Sequence, residues 1–214
     1  NNPRQIQLPY NRLIQPAGLQ IFFGEDSIVN HALDAALSPD AKWLAVMERY
    51  SIVFISTSDN KVKFRLSNNS CPALKSAMNT FSGIIWTVID GYPSVYWSTV
   101  NKGRKRSFVA SAKWDGIKAE LSGTFEYKPI AKADMALPNE ILITEESSKK
   151  YLYVVLNGNN NVIKQDLVTG DTVWIADPGV APYGLTMASG KLYVTNWAGR
   201  HPEKGDMDVA GIPW

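Results

Sequence analysis

Between residues 137 and 178 the polar and apolar positions fall into four short blocks parted by turns. "NEILITEE" is mostly apolar and β-branched, the composition of a strand buried on both faces. "SSKK" is a polar turn, and "YLYVVLN" follows as a second strand of strong β-formers. "GNNN" supplies residues that tolerate positive φ, "VIKQDLV" alternates as a half-exposed strand, and Thr169-Gly170 turns the chain into "DTVWIAD". Four antiparallel strands in sequence make one propeller blade.

The block recurs. "APYGLTMASGKLYVTNWAGR" matches "LPNEILITEESSKKYLYVVLNGN" at Pro182 and Pro138, and Tyr193 lies 40 positions after Tyr153. An earlier copy, "HALDAALSPDAKWLAVMERYSIVFISTSDNKVKF", puts "SPDAKWLAV" in the place of "ESSKKYLYV", with Leu44 opposite Leu152 and Asp59-Asn60 opposite Thr169-Gly170. Another reads "GIIWTVID", "SVYWSTV", "RSFVASAKW" and "AELSGTFEYK", with the charged hairpin "NKGRKR" between strands. Repeats of roughly 40 to 45 residues built from short strands are propeller blades. The expected fold is all-β: one partial β-propeller domain over 1–214, with blades near 31–75, 83–130, 137–178 and 179–214. About three and a half blades are expected, the last reduced to two strands and a long polar loop. Residues 1–30 add N-terminal strands outside any complete repeat.

Composition agrees. Of 214 residues 45% are hydrophobic and 20% charged, enough for a substantial core, and seven Trp, nine Tyr and seven Phe suit pleated surfaces. No apolar run of about 18 residues exists to span a membrane. A net charge of +2 gives no general attraction to nucleic acid. The single cysteine, Cys71, excludes an intrachain disulfide. The first residue is Asn, which fits a removed leader or a trimmed chain.

The segment "LPNEILIT…KKYLYVVLNGNNNVIKQDLVTGDTV", followed by "GVAPYGL…GKLYVTNWAGR", resembles the YncE-like, surface-layer-type seven-bladed β-propellers. "RLIQPAGLQIFFG" and "HALDAALSPDAKWLAV" narrow the likeness to the N-terminal propeller of exported bacterial proteins that carry an alkaline-phosphatase-type phosphoesterase domain downstream. The resemblance implies a full ring of more than roughly 300 residues, hence a partial ring here. It also implies export to the periplasm or cell surface, and a possible partner in the phosphoesterase domain of the same parent. None of that phosphatase's metal-binding motifs is in this sequence.

Candidate chemistry gathers on the face carrying the loops into each inner strand and the loops between second and third strands. The alignment places His31, Ser82, Asn139 and Tyr183 at the entries. The second-to-third loops hold Glu48, Arg49 and Tyr50, then Asn157 to Asn161, then residues 196 to 206 with Asn196, Trp197, Arg200 and His201. The ligand or partner site is therefore expected at His31, Glu48, Arg49, Asn139, Tyr183, Asn196, Trp197, Arg200 and His201. Plainer roles stand beside these: Asn157, Asn159, Asn160 and Asn161 as turn formers, Tyr183 as channel packing, His31 as a satisfied interior histidine. Arg200 can pair with a loop carboxylate or grip an anionic ligand. Asp34, within an inner strand, is expected to accept hydrogen bonds from an adjacent blade.

No catalytic set, metal site or cofactor is expected. A lactonase-like channel metal needs converging carboxylates, and the expected mouth offers one His, one Ser, one Asn and one Tyr without a carboxylate pair. Asp166, Gly170 and Trp174 match a quinone-docking spacing, but Ser56, Asn60 and Phe64 stand at the equivalent places, so the pattern reads as blade packing. Two histidines and no G-x-S-x-G elbow give no hydrolytic triad. Lys102, Arg104, Lys105 and Arg106 read as a solvated hairpin tip, and Trp43, Trp86, Trp97 and Trp174 as packing between blades. The leading function is a non-catalytic binding or scaffolding propeller. The alternative is a metal-dependent lactonase-like or other hydrolase at the channel, with a cation near His31, Asn139 and Asp34. A partial ring exposes strand edges, so self-association is also expected.

Overall fold

The computed structural model describes residues 6–15, 17–131 and 133–201. A two-stranded hairpin, β1 (Ile6–Leu8) and β2 (Arg12–Ile14), comes first. Three four-stranded antiparallel sheets follow, each in sequential order. Blade 1 holds β3 (Ala32–Leu37), β4 (Trp43–Glu48), β5 (Ser51–Ser56) and β6 (Lys61–Ser67). Blade 2 holds β7 (Met78–Ile89), β8 (Tyr92–Asn101), β9 (Arg106–Trp114) and β10 (Ala119–Tyr127). Blade 3 holds β11 (Pro138–Glu146), β12 (Lys149–Leu156), β13 (Asn161–Asp166) and β14 (Thr172–Ala176). Half of a fourth blade, β15 (Val180–Ala188) paired with β16 (Lys191–Gly199), completes the described chain.

The first strands of successive blades, β3, β7, β11 and β15, pack side by side and form the inner wall of the arc. This is the all-β propeller architecture of about three and a half blades that the repeat implies. The outer turns obey the expected chemistry: Asn60 and Gly170, at equivalent positions, both take positive φ, 57° and 78°. Two boundaries differ from expectation. The strand β7 starts at Met78, because its first residues pair with the end of β8 beyond a bulge. The strand β16 runs to Gly199, so Asn196 and Trp197 sit on a strand and not in a loop. Expectations for residues 1–5 and 202–214, including the rest of the final loop, fall outside the described residues.

Alternation sets which blade each face meets. Leu152, Val154 and Leu156 of β12 pack toward blade 2 in one cluster with Tyr96, Val109 and Tyr127. Blades 1 and 2 share a larger aromatic cluster, in which Phe54 stacks on Trp114 at 4.4 Å and Trp43 meets the same ring edge-on at 4.9 Å. Ile21 and Phe23, short of β3, pack on the other face of blade 1 against Val46, Val53 and Ile55. Burying each large side chain contributes about 1.5–3 kcal/mol, so these faces dominate the stability.

Candidate functional site

At the strand-entry end of the blades the expected residues divide sharply by burial. Glu48 closes β4 and is fully buried. Its Oε2 lies 3.1 Å from Arg65 Nε and its Oε1 accepts from Arg65 Nη2 at 3.2 Å. Asn30 Nδ2, at 3.1 Å, and the Ser51 hydroxyl donate to the same carboxylate. A buried carboxylate survives only with a cation and donors around it. The expectation that Glu48 faces a ligand is therefore corrected: it ties blade 1 together from beneath the surface. Asn139 is corrected likewise, being 6% exposed, with its carbonyl taking the Ser98 hydroxyl at 2.6 Å.

His31 is exposed rather than interior, and it does not share the register of the other entry residues. Pairing partners give the true equivalences: Ala35 with Val46, Ile84 with Trp97, Ile141 with Val154 and Leu185 with Val194. One residue earlier stand Asp34, Gly83, Glu140 and Gly184; two earlier stand Leu33, Ser82, Asn139 and Tyr183. The β3–β4 connection is two residues shorter than the β11–β12 one, since Leu37 pairs with Leu44 but Ile143 with Leu152, so an alignment on Leu44 and Leu152 sets His31 two positions too far out. Its carbonyl accepts from Arg49 N–H at 3.3 Å, and the Arg49 guanidinium lies 5.3 Å from the Tyr50 ring.

The corrected register reveals a pair absent from the expectation. Asp34 and Glu140 occupy the same position on the inner strands of blades 1 and 3, with glycine at that position in blades 2 and 4. Asp34 accepts from Gly83 N–H of the adjacent blade at 2.9 Å, as expected of an inner-strand carboxylate, and from Ala35 N–H at 2.8 Å. Gly83, at φ +97°, comes so close to blade 3 that a Cβ would lie 1.9 Å from the Asn139 carbonyl oxygen. Burial, and behind it the charge of Asp34, push Glu140 up to about 7, against the hydrogen bond from Ile141 N–H. The signal was present in "HALDAAL" and "PNEILIT", once aligned by the carboxylates. A carboxyl so placed can give or take a proton near neutrality.

The asparagine loop of blade 3 forms the expected turn, with Asn160 at φ 55°. It also rivets its neighbours. Asn157 Nδ2 donates to Pro182 O at 3.0 Å, and Asn160 Oδ1 accepts from Ala181 N–H at 2.9 Å. Asn159 accepts from Ile130 N–H at 3.1 Å and donates to Lys128 O at 3.0 Å. Asn196 Nδ2 holds Pro178 O at 2.8 Å.

Beside this frame Tyr183 and Trp197 stack at 4.7 Å and 22°. Trp197 is 63% exposed and Tyr193, on the same face of β16, is 53% exposed. Arg200 Nη1 donates to His201 O at 2.9 Å, and His201 Nε2 lies 2.7 Å and 2.9 Å from the Asp177 carboxylate oxygens. Burial pushes the Asp177 carboxyl upward, but His201 and Gly179 N–H together hold it below the usual range. Among the described residues no group of three or more His, Cys, Asp or Glu converges as for a metal ion. Asp166 caps the Thr169 turn through its carboxylate, and Trp174 packs edge-on to Tyr153 at 5.8 Å, the blade-packing role read for that spacing.

The fold is that of a β-propeller, and solved structures share its architecture. The chain is similar to a protein of unknown function from Bacteroides caccae, at 14% identity and TM-score 0.51 over 77% of this chain and 53% of that one. It is similar to a functionally unknown protein from Desulfotomaculum acetoxidans, at 12% identity and TM-score 0.51 over 89% and 54%. It is similar also to Kuenenia stuttgartiensis hydrazine synthase, at 15% identity and TM-score 0.52 over 77% and 58%. The chain thus spans little more than half the length of these structures, and the likeness is one of fold. No family model matches the chain, and no curated protein does.

Proposed function

We propose that the chain is the propeller part of an exported bacterial protein of the YncE-like kind, placed in the periplasm or at the cell surface, that binds rather than converts. Its strand-entry rim receives a ligand or an attached phosphoesterase-type domain. The observation that carries this reading is the open Tyr183–Trp197 stack, set beside Arg200 and His201 on a backbone held by Asn157, Asn160 and Asn196. Rigid aromatics beside a guanidinium are the groups that anchor partners most strongly, and they suit a planar, carboxylate or phosphate group. The triple substitution Tyr183→Ala, Trp197→Ala and Arg200→Ala is expected to weaken binding to the downstream domain or to a panel ligand by at least tenfold. Unchanged affinity for every binder found removes the rim from consideration. Self-association through the exposed blade edges of a partial ring is read by light scattering; a stable monomer at high concentration counts against it.

A second reading, a metal-dependent lactonase-like or other hydrolase at the channel, draws support from Asp34 and Glu140. A carboxyl raised to about 7 is poised for proton transfer. An ester and lactone screen, with and without chelator, separates the two readings. Turnover that Glu140→Gln abolishes favours the hydrolase; none, with no bound metal, leaves the binding module.

A further inference from the structure

Blades diverge like spokes, so the gap between two of them widens outward and needs ever larger side chains to fill it. Between blades 1 and 2 the outer gap is closed by Trp43, Phe64 and Trp114. Between blades 2 and 3 it stays open as a cleft of 460 Å³, walled by the faces of β10 on one side and of β13 and β14 on the other. That volume falls within the range of small-molecule sites, roughly 300–1,000 Å³.

The chemistry of the walls is not that of an unfilled core. Gln165, 3% exposed, lines the cleft; its Oε1 takes the Tyr127 hydroxyl at 2.7 Å, and its Nε2 finds no partner. Asn161, four residues earlier on the same face of β13, has a buried Oδ1 that also finds none. An orphaned buried donor and an orphaned buried acceptor each cost about 1–3 kcal/mol, which a core under selection for stability alone would shed. Phe125 and Ile163 give the cleft apolar surface, and exposed Thr124 and Thr172 place hydroxyls at its mouth. The one carboxylate in the wall, Glu126, is clamped by Arg106 at 3.0 Å and 2.8 Å and by Lys128 at 2.8 Å, so the site presents no free negative charge.

We infer that this cleft is a binding site for a neutral saccharide. Hydroxyl groups both donate and accept, so one sugar edge answers the Gln165 amide and the Asn161 carbonyl, while the C–H face of the ring rests on Phe125. The walls are sheet faces, which offer side chains and not main-chain edges, so an extended peptide fits them less well. This site includes none of Tyr183, Trp197, Arg200 and His201, and it stands or falls independently of the reading given for them.

The test uses the whole chain with maltose, cellobiose, lactose and diacetylchitobiose, by saturation-transfer NMR and calorimetry. At least one disaccharide is expected to bind saturably. Thr172→Trp, which fills the mouth from an exposed position, is expected to weaken that binding at least tenfold. Asn161→Leu is expected to weaken it as well, with an unchanged or higher melting temperature because the orphaned acceptor is gone. Failure of all four sugars to bind, or binding that neither substitution alters, overturns the inference. A peptide enriched from a displayed library and blocked by Thr172→Trp reassigns the cleft to peptides.

Discussion

The seam between blades 1 and 2 and the seam between blades 2 and 3 are built on the same backbone plan and solve the same packing problem differently. The first is aromatic: Phe54, Phe64, Trp43, Trp86 and Trp114 interlock, and Trp86 Nε1 donates to Ala36 O at 3.0 Å across the gap. The second is aliphatic near the axis and polar at the perimeter, where Tyr127, Gln165 and Asn161 border an open cleft. Near the axis it relies on close backbone approach at Gly83 and on the Ser98–Asn139 hydrogen bond. A repeat dictates where strands go; the side chains on facing strands decide whether a seam is filled or left usable.

The comparison can be broken at several points. Gly83→Ala imposes both positive φ and a clash with Asn139 O on the second seam, and should cost at least about 4 kcal/mol or prevent folding, as read by chemical denaturation. In the first seam, Trp114→Ala or Phe54→Ala should cost about 3–5 kcal/mol. Phe125→Ala in the second should cost only about 1 kcal/mol, because its ring borders a void already present. Equal losses at Phe54 and Phe125 would mean that the two seams are packed alike.

Glu140→Gln sharpens the axial part of the second seam. The folded carboxyl stands at about 7, above the ordinary value of 4.5, so the native state holds more protons than the unfolded chain between those limits. Stability from this group is intact below pH 4.5 and falls as pH rises to 7. Glu140→Gln should therefore raise stability at pH 8 by about 1–3 kcal/mol and leave it nearly unchanged at pH 4.5. A thermal scan at both pH values checks this; equal effects at the two would mean the Glu140 carboxyl is not raised.

The smallest effect belongs to the perimeter. Arg106 and Lys128 hold Glu126 down to about 2. Its contribution is present above pH 4.5 and lost as pH falls through about 2. Because the partners are solvated, Glu126→Gln should cost less than about 1 kcal/mol at pH 7, and less still in high salt.

Much of the fold was legible because a strand's alternation and a turn's need for positive φ are local. The blocks of residues 137–178 name their own strands, and Asn60 and Gly170 mark the same corner in two blades. The site was legible only in part. Tyr183, Trp197, Arg200 and His201 do gather at one end. Glu48 and Asn139 do not reach the surface, since Arg65, Asn30 and Ser98 claim them from elsewhere in the chain. The matching positions of Asp34 and Glu140 stayed hidden behind a β3–β4 connection two residues shorter than the β11–β12 one, which displaced the alignment by two residues.

From the sequence alone follow the repeat, the four-stranded unit and the arc of successive inner strands, all consequences of short-range pattern. Which carboxylates share a strand position and feel one another's charge, which asparagines rivet neighbouring blades and which seam stays open were decided by tertiary structure. Those outcomes depend on distances between residues 21 or more positions apart, set by how neighbouring sheets approach, and no periodicity along the chain records them.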